Sequence, residues 1–222
     1  MISSRLVQDS NTKKPLPALT LPALHTLPSC GKSHCVAVAA AVGEAISWAT
    51  DKKDGSRFGQ LGWGDRFADE PYIVGKVDKV GVAAKAAAGD HHSAFIDTRG
   101  RLFTCGVDRW EQLGRGAVLW KKGAVWQREP KPVPALSDVR VVDVACGADH
   151  TIALDVENKV WAWGRGDHGQ LFGASSRPFT SPPTPSKQLS PAVAIAARGN
   201  GSCSLDAARV QRCVGDCKHV LM

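Results

Sequence analysis

Three histidines recur at a fixed spacing and are the first candidates for chemistry in this chain. Each lies three residues after a glycine, and the pairs are Gly31 with His34, Gly89 with His92, and Gly147 with His150. Imidazole serves proteins as a general acid or base and as a metal ligand. A catalytic group is needed once, whereas these histidines occur once per repeated segment. The repetition favours structural positions, in which each ring bonds a neighbouring backbone group, and no catalytic residue is predicted.

A second candidate is a group of zinc-type ligands late in the sequence. Cys213, Cys217 and His219 are three potential ligands, and Cys203 is a potential fourth. Tetrahedral zinc is usually bound by two paired knuckles of the C-x₂₋₄-C kind, and only one such spacing is present. Cys213 also aligns with Trp163 of the preceding repeat, which predicts a core position. Neither a metal nor another cofactor is therefore predicted, and these residues are kept as the metal candidates.

A third candidate is the segment 117–129, which mixes aromatic and basic side chains. The residues concerned are Trp120, Lys121, Lys122, Trp126 and Arg128. Aromatic rings interleaved with basic groups stack on bases and contact phosphates, or they anchor a protein interface. The alternative is that the two tryptophans fold back over the flank of the protein. The segment is predicted to bind a partner, with protein preferred over nucleic acid.

The overall charge is basic, with a formal net charge of +7. An excess of this size favours RNA, DNA or acidic protein surfaces as partners, or it serves solubility. The sequence has no apolar run of about 18 residues that would span a membrane. It also lacks the G-x-x-x-x-G-K-[ST], G-x-S-x-G and H-E-x-x-H patterns. These absences argue against the enzyme classes that such motifs mark.

Spacing along the sequence assigns no pairing to the seven cysteines. Cys30, Cys105 and Cys146 lie in apolar runs, where a thiol packs as a small hydrophobic group. Unpaired cysteines predict a reducing, intracellular compartment, either mitochondrial or nuclear and cytosolic.

Residues 141–173 show the elements that must position these groups. Two alternating runs, Thr151 to Leu154 and Val160 to Trp163, are separated by a polar turn and followed by glycines. This pattern predicts short half-buried strands joined by tight turns. Similar segments occur elsewhere in the chain, together with a glutamine that precedes a leucine at Gln60, Gln112 and Gln170. We expect a flexible lead over 1–13 and one repeat domain over 14–222, with repeats at about 14–69, 70–130, 131–183 and 184–222, the last degenerate.

The repeat length predicts the fold. The marker glycines Gly31, Gly89, Gly147 and Gly199 are 58, 58 and 52 residues apart. A period of this length with several short strands is typical of one propeller blade per repeat. The predicted fold is all-β: a partial or small β-propeller of about three to four four-stranded antiparallel blades. An open arc of blades exposes strand edges, and we expect a protein partner to cover them.

The stretch VVDVACGADHTIALDVENKVWAWGRGDHGQL resembles a repeat of the regulator of chromosome condensation family. The shared pattern is an apolar run, Cys-Gly, two variable residues, His-Thr, an alternating strand, an aromatic-x-Trp-Gly segment and Gly-Gln-Leu. The resemblance spans roughly residues 14–215 and is strongest in the second and third repeats. It implies a β-propeller, which has seven blades in that family, whereas about four repeats are present here.

The resemblance also implies a function. We expect a non-catalytic interaction or scaffold module, a subunit of a larger intracellular assembly such as an organellar ribosome or another mitochondrial complex. One alternative is a guanine-nucleotide exchange factor for a small Ran-type GTPase. The other is an RNA- or DNA-binding accessory protein that uses the basic segment.

Overall fold

The computed structural model describes residues 23–24, 26–50, 58–65, 74–116, 126–171, 179–186, 188 and 191–217. Within these ranges the regular structure is almost entirely β. Blade 1 contains β1 (Ser29–Cys30), β2 (His34–Val38), β3 (Ala45–Ala49) and β4 (Gly75–Lys76). Blade 2 contains β5 (Ala83–Ala88), β6 (His92–Asp97), β7 (Leu102–Val107) and β8 (Trp126–Pro132). Blade 3 contains β9 (Val141–Cys146), β10 (His150–Asp155), β11 (Val160–Arg165) and β12 (Phe179–Pro185), and blade 4 contains β13 (Ala194–Arg198), β14 (Gly201–Leu205) and β15 (Gln211–Gly215).

Each blade is an antiparallel sheet whose strands follow one another in chain order. Extensive packing joins blade 1 to blade 2, blade 2 to blade 3, and blade 3 to blade 4. The first strand of every blade lines one central cleft of about 590 Å³, which we call the channel. A short 3₁₀ helix, Pro134–Leu136, precedes β9. Four sheets arranged radially around a common channel are the blades of a β-propeller, and the predicted fold class is confirmed.

The middle strands of blades 2 and 3 are buried on both faces because each of these two blades lies between two others. All six residues of β10 are buried. Ile152 and Leu154 pack into the cluster shared with blade 4, whereas Ala153 packs into the cluster shared with blade 2. Successive side chains of a strand point to opposite faces, so one strand serves two interfaces. The alternation in the sequence is therefore one of size, small beside large, rather than of polarity.

Aspartates close the hairpins between the second and third strands of a blade. Asp97 Oδ1 accepts from the backbone N–H groups of Arg99 and Arg101 at 3.0 and 2.9 Å. Asp155 Oδ1 accepts in the same way from Glu157 and Lys159 at 2.8 and 3.0 Å. An Asp side chain that bonds its own backbone two residues further on fixes a turn locally. The same device therefore sets the hairpin register in both blades.

Three of the four marker glycines, Gly31, Gly89 and Gly147, are required by close contact between blades, whereas a Cβ on Gly199 would meet nothing within 4 Å. A Cβ on Gly31 would lie 1.7 Å from the carbonyl oxygen of Gly89, and a Cβ on Gly89 would lie 2.4 Å from that of Gly147. A Cβ on Gly147 would lie 2.8 Å from the carbonyl oxygen of Gly199. These three glycines are thus stacked against the backbone of the next blade beside the channel, with no room for a side chain.

Strand pairing in the fourth blade differs by one residue from the alignment that the marker glycine Gly199 gives in the sequence. Ala197 pairs with Ser202 as Cys146 pairs with Thr151. Gly201 pairs with Gly215 as His150 pairs with Gly164. Gly201 therefore occupies the histidine position of this blade.

The cysteine predictions require a correction. Cys30 forms a disulfide with Cys35, and Cys203 forms one with Cys213. Each pair consists of directly opposed residues on neighbouring strands, a relation that spacing along the chain does not reveal. Two of the seven cysteines, Cys105 and Cys146, are buried and free, and burial raises the pKa of both thiols to about 12.

The predicted core position of Cys213 is also wrong. Cys213 is exposed on β15. In strand register Cys213 corresponds to Ala162, and Val214 corresponds to Trp163. Among the described residues no further strand follows β15 in its sheet, so the outer part of blade 4 faces solvent. Trp48 and Trp163 are buried, whereas Trp161 is half-buried and its indole N–H donates to Asp155 at 2.8 Å.

The stacked glycines give a first prediction. Gly31→Ala places a methyl group against a backbone carbonyl that has no room to move, and we expect a loss of about 3 kcal/mol in the free energy of unfolding. Gly81→Ala is the matched control, because its Cβ meets nothing within 4 Å although φ is +78°. The control should lose only about 1 kcal/mol from backbone strain. Equal losses in urea denaturation of the two variants would contradict close stacking.

Candidate functional site

The three marker histidines lie between blades, where each ring reaches a hydroxyl group of the next blade. His34 Nε2 lies 2.7 Å from Ser93 Oγ, and His92 Nε2 lies 2.9 Å from Thr151 Oγ1. His150 Nε2 lies 2.7 Å from Ser202 Oγ. All three rings are completely buried. We call these three contacts the inter-blade latches.

The hydroxyl groups set the direction of two of these hydrogen bonds. Ser93 Oγ donates to the carbonyl oxygen of Gln60 at 2.7 Å, and Thr151 Oγ1 donates to that of Gln112 at 2.8 Å. A hydroxyl has one proton, so each of them accepts from the imidazole Nε2–H. The sequence singled out the histidines and glutamines but missed the hydroxyl residues. The available signal was that Ser93 and Thr151 each directly follow a marker histidine.

The repeated glutamines form the other part of each latch. Gln60, Gln112 and Gln170 are completely buried. The side-chain Oε1 of each accepts from the backbone N–H two residues earlier, at 3.0, 2.9 and 2.9 Å. Each glutamine thus closes its own loop, and the first two also present a carbonyl oxygen to the hydroxyl of a latch.

A histidine beside a hydroxyl suggests a nucleophile with its base, but the geometry does not support that chemistry. The Ser93 proton goes to a carbonyl oxygen rather than to His34. Burial lowers the pKa of His34 and of His92 to about 3, and that of His150 to about 4. A general base works best with a pKa near the operating pH and must reach the substrate. These neutral, enclosed rings hold blades together.

The predicted partner-binding segment is described only in part. Trp120, Lys121 and Lys122 lie outside the described residues. Trp126, which begins β8, is 38% exposed, and its ring centroid is 6.4 Å from that of Phe58. Arg128 bonds Asp65 at 3.0 Å. The structure therefore brings Trp126 and Arg128 together at a shallow surface cleft.

The two end faces of the array differ from its internal interfaces. In strand register, Cys35 of blade 1 stands where blades 2 and 3 have the hydroxyls of Ser93 and Thr151. Blade 4 has Gly201 at the histidine position. The outer face of blade 1 therefore lacks a hydroxyl to accept a latch hydrogen bond, and the outer face of blade 4 lacks an imidazole to donate one. Latches consequently join the four described blades to one another and stop at both ends.

The metal candidates are also partly described. The sulfur atoms of Cys203, Cys213 and Cys217 lie within 4.8 Å of one another, and His219 lies outside the described residues. Cys217 is half-buried and its thiol donates to the carbonyl oxygen of Val214 at 2.8 Å. The cluster is on blade 4 next to Ser202, the residue that accepts the third latch, and the Cys217 sulfur lies 3.6 Å from the Ser202 carbonyl oxygen.

In the described part of the chain, no helix is long and apolar enough to cross a membrane. The radial sheets, the buried latches and the stacked glycines define a β-propeller module. The family model for the regulator of chromosome condensation (RCC1) repeat matches residues 99–154, and a second model of the same repeat matches residues 141–170. The chain therefore carries regulator of chromosome condensation repeats, as the sequence motifs predicted.

Curated relatives and solved structures place these repeats in larger proteins. The human E3 ubiquitin-protein ligase HERC2 is 37% identical over 64% of this chain, which corresponds to 3% of that protein. The mitochondrial RCC1 domain-containing protein RUG3 of Arabidopsis thaliana is 34% identical over 73% of this chain and 36% of its own length. The chain thus spans well under half the length of either relative.

Solved structures agree on the fold. Human WBSCR16 superposes with a TM-score of 0.71 at 22% identity, over 85% of this chain and 46% of that one. Yeast RCC1 (Prp20) bound to Kap60 superposes with a TM-score of 0.73 at 16% identity, over 92% of this chain and 46% of that one. Four blades here therefore match a little under half of a larger propeller chain.

The latches give a second prediction. Replacing His92 and Thr151 together should lower the free energy of unfolding by less than the sum of the two single replacements. Either replacement alone already breaks the same contact. We expect the His92→Ala and Thr151→Val cycle to show a coupling of about 1 kcal/mol in denaturant unfolding. His92→Ala with Ser202→Ala is the control, since these groups belong to different latches and should be additive. A zero coupling for His92 with Thr151 would contradict the latch.

The buried imidazoles give a third prediction. Their pKa values in the folded protein, about 3 to 4, lie below the ordinary 6.5. Between these values the unfolded chain binds protons on its histidines and the folded chain does not. Their contribution to stability is complete above pH 6.5 and is lost as the pH falls toward 4. With three such groups, the free energy of unfolding should fall by about 4 kcal/mol per pH unit in that window. His92→Gln should reduce this slope by about a third, and a flat profile from pH 7 to 5 would contradict neutral burial.

Proposed function

We propose that this chain is a non-catalytic protein-interaction module in an intracellular assembly, and that a partner protein covers the open side of blade 4. One observation carries the proposal: the latches pass through every interface between described blades and are missing at both ends. An internal interface is held by a buried polar contact together with a hydrophobic cluster. The end face of blade 4 has neither a histidine to bond a further blade nor, among the described residues, a fourth strand.

The edge of β15 offers main-chain groups to such a partner. The Cα atoms of the opposed residues Cys203 and Cys213 are 4.1 Å apart, which is typical of a non-hydrogen-bonded pair in an antiparallel ladder. The backbone of Asp206 donates to Val210 at 3.1 Å, and Asp216 donates to Asn200 at 3.0 Å. Hydrogen-bonded pairs and non-hydrogen-bonded pairs therefore alternate along the ladder of β14 and β15.

The alternation decides which groups of β15 face outward. Gln211, Cys213 and Gly215 direct their N–H and C=O groups away from β14. An extended segment of another protein can add to such an edge by main-chain hydrogen bonds. In blades 1 to 3, the strands β4, β8 and β12 occupy this position.

Other features support a protein partner. The exposed Trp126 and the half-buried Arg128 lie together at the surface near the blade 1 and blade 2 boundary. Tryptophan with arginine is the composition that interface hot spots favour. The predicted binding segment also includes Trp120, Lys121 and Lys122, which lie outside the described residues. The net charge of +7 favours an acidic face on the partner. The mitochondrial relative RUG3 supports a mitochondrial complex as the setting.

The second candidate function is guanine-nucleotide exchange. It is favoured by the similarity to yeast Prp20p, whose structure is described together with its binding to Gsp1p and histones. Purified chain should leave GDP release from a Ran-type GTPase unchanged if the interaction module is correct. Accelerated release would support the exchange factor and contradict the non-catalytic proposal.

The edge itself is tested with Gln211→Pro, which removes an outward N–H without breaking the ladder to β14. Gln211→Ala is the matched control. Tagged chain recovered from its own cells should show slow amide exchange at Gln211, Cys213 and Gly215 when it is in complex, and fast exchange once purified alone. Gln211→Pro should abolish the slow exchange and the co-purifying partner, while Gln211→Ala retains both. Fast exchange in both preparations of the unmodified chain would refute the proposal.

A further inference from the structure

We propose that Cys203, Cys213 and Cys217, when reduced, form a thiolate site for zinc on the end face of blade 4. The three sulfur atoms already lie within 4.8 Å of one another. Tetrahedral zinc holds sulfur ligands at about 2.3 Å, which places neighbouring sulfurs about 3.8 Å apart. The three side chains therefore need only small torsional changes to surround one ion.

The backbone fixes all three positions. Cys203 and Cys213 are opposed in the β14–β15 ladder. The chain then turns at Gly215, where φ is +76° and a Cβ would lie 2.1 Å from the carbonyl oxygen of Asn200. The N–H of Asp216 donates to that same carbonyl oxygen at 3.0 Å. This turn returns Cys217 to the other two sulfurs, so the glycine and the hairpin loop preorganise the third ligand.

Exposure makes this cluster accessible from one side. Cys203 is buried, Cys217 is half-buried and Cys213 is exposed. The remaining described cysteines do not offer three sulfurs at one place: Cys105 and Cys146 are single buried thiols, and Cys30 is paired with Cys35. Three protein ligands leave the fourth tetrahedral position to water or to a donor from elsewhere, as in zinc sites that exchange ligands.

Loading the site requires reduction of the Cys203–Cys213 disulfide. A dithiol reductant supplies two electrons and two protons: the S–S bond breaks, two thiols form, and the reductant becomes a disulfide. Binding of Zn²⁺ then displaces three protons from the three thiols. Zinc and the disulfide therefore exclude each other, and the end face of blade 4 has two chemical states.

The test is a titration of the full chain with Co²⁺ and then Zn²⁺ under anaerobic conditions, after reduction and removal of the reductant. We expect one Co²⁺ per chain with a thiolate-to-cobalt absorption band, and its complete displacement by one equivalent of Zn²⁺. Cys217→Ser and Cys213→Ser should each weaken binding at least tenfold. The oxidised chain, with the Cys203–Cys213 disulfide intact, should bind neither ion.

The matched control is Cys30→Ser with Cys35→Ser, which removes the other opposed cysteine pair and should keep one equivalent of metal. Zinc release on reoxidation, measured with a chromogenic chelator, supplies a readout that does not depend on stability of the variants. Absence of stoichiometric Co²⁺ binding by the reduced chain would overturn the proposal. Retained affinity in Cys217→Ser, or loss of binding in the Cys30 and Cys35 variant, would overturn it as well.

Discussion

The structure depends on a buried hydrogen bond from a neutral imidazole to a hydroxyl of the next blade. Burial of a polar group in a protein costs free energy unless the group forms a hydrogen bond. A hydrogen bond is directional, so it fixes the relative position of its two partners. Hydrophobic contact between flat sheets tolerates sliding, whereas His92 bonded to Thr151 fixes one blade against the next. The hydroxyl passes the bond on to the carbonyl oxygen of Gln112. The Thr151 hydroxyl of blade 3 is thereby bonded both to a strand side chain and to a loop carbonyl of blade 2.

This contact explains the other repeated residues. The imidazole lies beside the marker glycine of its own blade, and a Cβ on Gly89 would lie 2.6 Å from His92 Nδ1. The same Cβ would meet the backbone of the next blade. Glycine, histidine and glutamine therefore recur together because each is needed for one contact. Repeat proteins in which a unit touches only its neighbours can carry such a contact through any number of copies.

The end faces are where the sequence is free to depart from the pattern, because no described blade constrains them there. Both disulfides belong to those faces: Cys35 lies in the cluster on the outer side of blade 1, and Cys203 lies in blade 4 next to the residue that accepts the last latch. The internal interfaces contain the free thiols Cys105 and Cys146. The two disulfides thus lie at the two end faces of the array, whereas the free thiols of Cys105 and Cys146 lie between blades.

Sequence alone determined the strands, the repeat and the β-propeller class, because a period near 55 residues with alternating runs has few other solutions. It also identified His34, His92 and His150 as repeated positions rather than a catalytic centre. Only the tertiary structure decided their partners, because Ser93 lies 59 positions from His34 and no local pattern links them. The alignment of Gly201 with the histidines, the opposed cysteines and the return of Cys217 likewise depend on strand register. Register is set by hydrogen bonds between strands, and residue spacing in one strand does not encode which residue of another will face it.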